Sequence, residues 1–147
     1  MVSNQDMIKL YSKKILALAT EIPLTEPIES PDVSITRRSP LCGSMVIISI
    51  KMRDNQILEF SQDIKACALG QAAASIIGSS IIGCSIETVE KGRDQLLSML
   101  TADGPVPGSP FDELEVLQPA REYKNRHASI MLVLEATLEG MLSLKHK

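Results

Sequence analysis

Met45-Val46-Ile47-Ile48-Ser49-Ile50-Lys51-Met52, an alternating run rich in Ile and Val, is followed by Asp54-Asn55 and then by Ile57 to Ile64. A strand pattern, a turn signal and a second strand pattern predict a β-hairpin. From Cys67 to Ile82 the pattern changes. Ala72, Ala73, Ala74, Ser75 and Gly78 permit a closely packed helix, and Gly83 breaks it. Thiols flank the hairpin on both sides: Cys42-Gly43 precedes it and Ala66-Cys67-Ala68 follows it. Strands that fold back on each other bring Cys42 and Cys67, 25 positions apart, to the same end of the sheet. A thiolate at a helix start is stabilised by the helix dipole and free N–H groups, which suits it to metal binding.

Outward from this segment, Met7, Ile8, Tyr11, Ile15, Leu16 and Leu18 recur at helical spacing from about Gln5 to Thr20, and Pro23 ends the run. The N-terminal helical region is therefore expected within residues 1–22. Pro23, Pro27, Pro31 and Pro40 punctuate an irregular stretch in which Val33 to Thr36 forms a short edge strand. Ser85-Ile86-Glu87-Thr88 caps a helix running to about Thr101, with Val89, Leu96, Leu97 and Leu100 inward. Residues 103–110, beginning Asp103-Gly104-Pro105-Val106-Pro107-Gly108, read as a mobile surface loop. Phe111 to Leu117 suggests a short helix. The last helix spans about Asn125 to Leu144, with Ile130, Met131, Leu134, Leu138 and Met141 as its apolar side. Helix, strands, then helices is the order of an α+β fold: a small antiparallel sheet of about three strands with helices packed on one face.

The 147 residues fit one domain, 1–147. With no Trp and only two Tyr and two Phe, aliphatic residues and Met must fill the core, and platforms for stacking bases are scarce. A net charge of −3 weighs against nucleic-acid and anionic-membrane partners, both of which reward clustered Lys and Arg. The apolar stretch from Ala72 to Ile82 is too short to span a bilayer, and the N-terminal segment lacks a signal-peptide layout. The expected location is cytoplasmic. Three Cys in such a chain point to metal or reactive chemistry more than to disulfides.

Among the candidate ligands, Cys67 has its helix-start position and Cys42 its exposed turn between Pro40 and Gly43. Cys84 follows Gly83 between two helices and reads as a loop thiol without a role. His127 begins the final helix, where a neutral imidazole suits iron or zinc; His146 lies in a Lys-His-Lys tail.

Cys42-Gly43 before a strand pair, Ala66-Cys67-Ala68-x-x-Gln71-Ala72-Ala73-Ala74-Ser75, and the late His127-x-Ser129-Ile130 resemble the IscU/NifU-type iron–sulfur cluster assembly scaffolds over nearly the whole chain. In that family three Cys hold a nascent cluster or a zinc ion at the sheet end, an Asp commonly follows the first Cys-Gly, and a His precedes or replaces the third Cys. Here the Asp position holds Ser44. The third-Cys position falls either on Ala128, with His127 as the preceding His, or on His127 itself, and both alignments keep His127 as a ligand. The family's Leu-Pro-Pro-Val-Lys chaperone motif is reduced to a faint echo in Leu117-Gln118-Pro119-Ala120-Arg121. The resemblance thus implies a site of Cys42, Cys67 and His127 with an open fourth position. Such a site belongs to a non-enzymatic carrier of iron or an iron–sulfur cluster, expected as the two-iron, two-sulfide type, or of zinc in aerobically purified protein. The partners implied are a cysteine desulfurase and apo iron–sulfur proteins, with a homodimer as one route to the fourth ligand. The alternative is a zinc-binding sulfur acceptor or regulator of the desulfurase; a blander one is a family member whose site has decayed.

Overall fold

In the computed structural model, which describes residues 12–39 and 43–145, Ser12 caps the first helix among the described residues. Its Oγ accepts a bond from Ile15 N at 3.3 Å, satisfying one of the free donors at the start of α1 (Lys13–Thr20). α1 buries Ile15 and Ala19. Leu16, expected inward, is 47% exposed, because neighbours in a helix turn about 100° apart and Ile15 takes the core direction. The expected contributions of Met7, Ile8 and Tyr11 lie outside the described residues, as do Cys42 and His146.

Three antiparallel strands follow in the order β1 (Val33–Arg38), β2 (Met45–Arg53) and β3 (Gln56–Lys65). β1 is two residues longer than the Val33–Thr36 edge strand expected. Asp54 and Asn55 join β2 to β3 with φ of 53° and 67°, the left-handed pair that a two-residue hairpin turn requires. Cross-strand partners share a face, so Val46, Ile48 and Ile50 of β2 look the same way as Ile64, Gln62 and Phe60 of β3. That face is the core. The far edge of β3 is covered at both ends, by Gln62 N donating to Leu24 O (2.9 Å) and Ile57 N donating to Cys84 O (3.0 Å). Both bonds blunt an edge that would otherwise template aggregation.

Three α-helices complete the domain: α2 (Ala68–Gly78), α3 (Ile86–Thr101) and α4 (Lys124–Lys145). α2 is shorter than the Cys67–Ile82 helix expected. It starts one residue after Cys67, which is its N-cap, and it stops at Gly78, leaving Ile81 buried and Ile82 exposed in the following turn. In α3, Leu96 is fully buried while Leu97, expected inward and about 100° further round the helix, is 38% exposed. The short helix expected at Phe111 to Leu117 is instead a 3₁₀ helix over Asp112–Glu122 with Pro119 inside it. The 103–108 loop is tied down by Gly104 N to Ser98 O (2.9 Å) and Gly108 N to Gln95 Oε1 (3.1 Å).

α4 departs most from expectation. Read as one-sided, it is buried nearly all round from Ile130 to Leu134 and again at Ala136, Thr137, Leu138, Gly140 and Met141. It lies across β1 and β2 and against α2 and α3, so it is the axis of the core. Gly140 permits the approach: an added Cβ would sit 3.1 Å from Ile50 Cδ1 and 3.3 Å from Ile35 Cγ1. Among the described residues α4 is long and apolar enough to cross a bilayer by length and composition, and 67% of that stretch is buried inside the domain.

Candidate metal-binding site

Arg38 pairs with Met45, and Met45 with Lys65, so one end of the sheet is set by these three residues. Ser44 directly precedes Met45 and Cys67 follows Lys65 by two residues, which places both at that end. Between β1 and β2 the chain closes tightly. Ser39 N donates to Ser44 O (2.8 Å), Gly43 N donates to Ser39 O (3.1 Å), and Gly43 takes a φ of +68° that favours glycine. Cys42 falls between these residues in sequence and lies outside the described residues; Gly43 and Ser44, which follow it, are at the same sheet end as Cys67.

Cys67 has the extended backbone of a helix N-cap (φ −66°, ψ 168°), and Gln71 N donates to its carbonyl at 3.0 Å. Its side chain does not cap the helix. Sγ faces Ser129 instead, at 3.5 Å from Oγ, and the residue is partly exposed. Ser129 is fully buried and its Oγ also lies 3.0 Å from Ser44 Oγ. Close approach of α2 to α4 makes this possible: a Cβ on Gly70 would run into Ser129 Oγ and come within 2.9 Å of Ala66 Cβ.

His127 is placed differently. It precedes Ser129 by two residues on α4, about 200° around the helix, and so leaves by another face. The ring is buried, and Nε2 lies 2.9 Å from Ala120 O. A carbonyl only accepts, so Nε2 carries a proton, and in the neutral ring the lone pair is on Nδ1. His127 lines a cleft with Arg38, Ser39 and Ala128. The structure therefore brings Cys67 to Ser129, and Ser129 to Ser44, while His127 shares a cleft with Ser39. Among the described residues no three His, Cys, Asp or Glu side chains group closely enough to hold a metal ion.

Ser129 is the functional candidate that residue-type reasoning passed over. Its signal was its place in His127-x-Ser129, two positions from the imidazole and hence on a different face. Cys84 is buried and donates Sγ–H to Ser80 O at 3.0 Å, and burial pushes its thiol up.

The fold is similar to that of solved proteins. A nitrogen-fixing NifU-like protein (N-terminal) from Brucella abortus superposes with a TM-score of 0.94 at 34% identity, over 97% of this chain and 99% of that one. The chain belongs to the NifU-like family. Two further structures share the fold. One is a putative iron–sulfur cluster assembly scaffold protein for the SUF system from Fervidobacterium islandicum AW-1 (TM-score 0.79, 15% identity, 91% of this chain and 98% of that one). The other is a hypothetical protein (TM-score 0.81, 17% identity, again 91% and 98%). No family model and no curated protein matches the sequence. The α+β architecture and the three-stranded antiparallel sheet are thus those of the NifU-like fold.

Proposed function

We propose that this NifU-like protein is a scaffold that binds iron or a nascent iron–sulfur cluster at the sheet end and passes it to apo iron–sulfur proteins. The observation that carries this reading is the placement of Cys67: a partly exposed thiol at a helix start, its sulfur beside the Ser129 hydroxyl, at the sheet end where Gly43 and Ser44 also lie. Thiolates are the ordinary ligands of iron–sulfur clusters, and one imidazole is tolerated among them. Cys42 is the second thiolate. His127, held through Nε2 by Ala120 O on another face of α4 than Ser129, would have to turn toward the thiolates to serve as a third donor through Nδ1. Two thiolates and one imidazole hold a cluster less firmly than four thiolates, which serves delivery. The function is binding and transfer without turnover. A cysteine desulfurase supplies the sulfur, and zinc occupies the same donors when iron chemistry is lost to air.

Anaerobic reconstitution of the full chain with Fe²⁺ and sulfide tests this, read by visible absorption and by iron and sulfide analysis. Wild type is expected to acquire a coloured cluster and to transfer it to an apo-ferredoxin, and Cys67→Ser is expected to acquire little. Equal loading of wild type and a Cys42/Cys67 double substitution would refute it.

A further inference from the structure

Ser129 joins two groups that the site otherwise leaves separate. Its hydroxyl, sealed from solvent, lies 3.5 Å from Cys67 Sγ and 3.0 Å from Ser44 Oγ. A buried hydroxyl without partners costs about 1–3 kcal/mol, so these contacts are part of what fixes the rotamer of Ser129. While Cys67 is a thiol, either member of each pair can donate. A metal-bound sulfur carries no proton, and then only one direction remains: Ser129 Oγ–H donates to Cys67 Sγ, which leaves Ser129 Oγ to accept from Ser44 Oγ–H.

We propose that Ser129 is the positioning residue for the Cys67 ligand and that Ser44 acts through it, orienting the Ser129 proton toward the sulfur rather than binding the metal. This rests on the scaffold reading for the identity of the cargo, but the Ser44–Ser129–Cys67 chain is a property of the protein alone. A hydrogen bond withdraws electron density from a ligating sulfur, so the chain tunes the metal–sulfur bond as well as its placement. It also assigns a consequence to Ser44. A hydroxyl there both donates and accepts, whereas an ionised carboxylate only accepts. An Asp at position 44 takes the Ser129 proton for itself and strips the donor from Cys67.

The test is Co²⁺ bound to the full chain as a spectroscopic probe. Its thiolate-to-metal charge-transfer band reports electron density on sulfur, which a merely structural residue does not move. Ser129→Ala is expected to bind Co²⁺ about tenfold more weakly, the loss of one hydrogen bond to a charged group, and to shift the band to longer wavelength. Ser44→Ala is expected to give a smaller shift in the same direction, and Ser44→Asp a shift as large as that of Ser129→Ala. An unmoved band and unchanged affinity in folded Ser129→Ala would overturn the proposal, as would a Ser44→Asp band identical to that of wild type. If wild type binds neither Co²⁺ nor a cluster, the scaffold reading fails, and the chain is judged without metal. In a Cys42→Ser background, Ser129→Cys should form a disulfide with Cys67 on treatment with diamide, the two thiols being oxidised and the diamide reduced. Failure to cross-link in protein that folds normally by circular dichroism would overturn it.

Discussion

Cys67 and Cys84 stand in similar local sequence, each beside a small residue and each at the approach to a helix, yet the fold gives them different chemistry. Cys67 is itself the N-cap of α2, partly exposed, with its sulfur against the Ser129 hydroxyl. Cys84 comes one residue before the cap of α3. Ser85 fulfils that role by accepting from Thr88 N at 3.2 Å, and the thiol is turned inward to donate to Ser80 O. One sulfur lies partly exposed beside a hydroxyl at the sheet end; the other donates inside a turn. A cysteine near a helix start becomes a ligand only where the next layer of packing leaves its sulfur reachable and offers it a donor.

Removing each thiol breaks this contrast most directly. Cys67→Ser should abolish most iron or zinc binding, whereas Cys84→Ser should leave metal content, measured by elemental analysis, close to that of wild type. Modification rates sharpen it. In a Cys42→Ser background, Cys67 should react with iodoacetamide in the native protein, while Cys84 should wait for opening of the fold. For a domain stable by at least about 5 kcal/mol that makes Cys84 about a thousandfold slower or more, measured by mass spectrometry of timed samples. Similar rates for the two thiols would remove the distinction.

A smaller effect is expected at Gly70, whose missing side chain lets α4 bring Ser129 to Cys67. Gly70→Ala gains about 1 kcal/mol of helix propensity. Against this stands overpacking of about 1–3 kcal/mol, since the new Cβ collides with Ser129 Oγ and sits 3.0 Å from its carbonyl oxygen. Net destabilisation in urea titrations, together with weaker metal binding, is the expected outcome; a stabilised protein with normal metal affinity would contradict it.

The smallest effect belongs to Cys84 and pH. Burial raises its thiol above the ordinary value of 9.0. The unfolded chain then releases the proton first as pH rises, so the folded state binds more protons and stability declines above about pH 9. The contribution is complete below that pH and is lost as the folded thiol ionises. Cys84→Ala should flatten this part of the alkaline stability profile, read from urea midpoints at pH 8 and pH 10.

Much of the fold was legible along the chain. The alternation of Met45–Met52 and Ile57–Ile64 around Asp54-Asn55 specified a hairpin, because side-chain period and left-handed turn residues act over a few neighbours. Ser85 announced the start of α3 in the same local way. Where the reading missed, several helical faces had to be chosen by contacts far off in sequence. Leu16 and Leu97 fit a helical period but sit on the outward flank, and α4 is enclosed by β1, β2, α2 and α3 rather than half-exposed.

The sequence by itself determined the strand pair, the order of elements and the thiol at the mouth of α2, since each follows from residues within a turn or two of one another. Only the tertiary structure decided which groups meet that thiol. The packing of α4 against α2 over Gly70 turns Ser129 toward Cys67 and His127 toward Ala120, although the two lie two residues apart. A helix advances 100° per residue, so side chains that are neighbours in the sequence are parted in space, and a site on its surface is selected by whatever packs there.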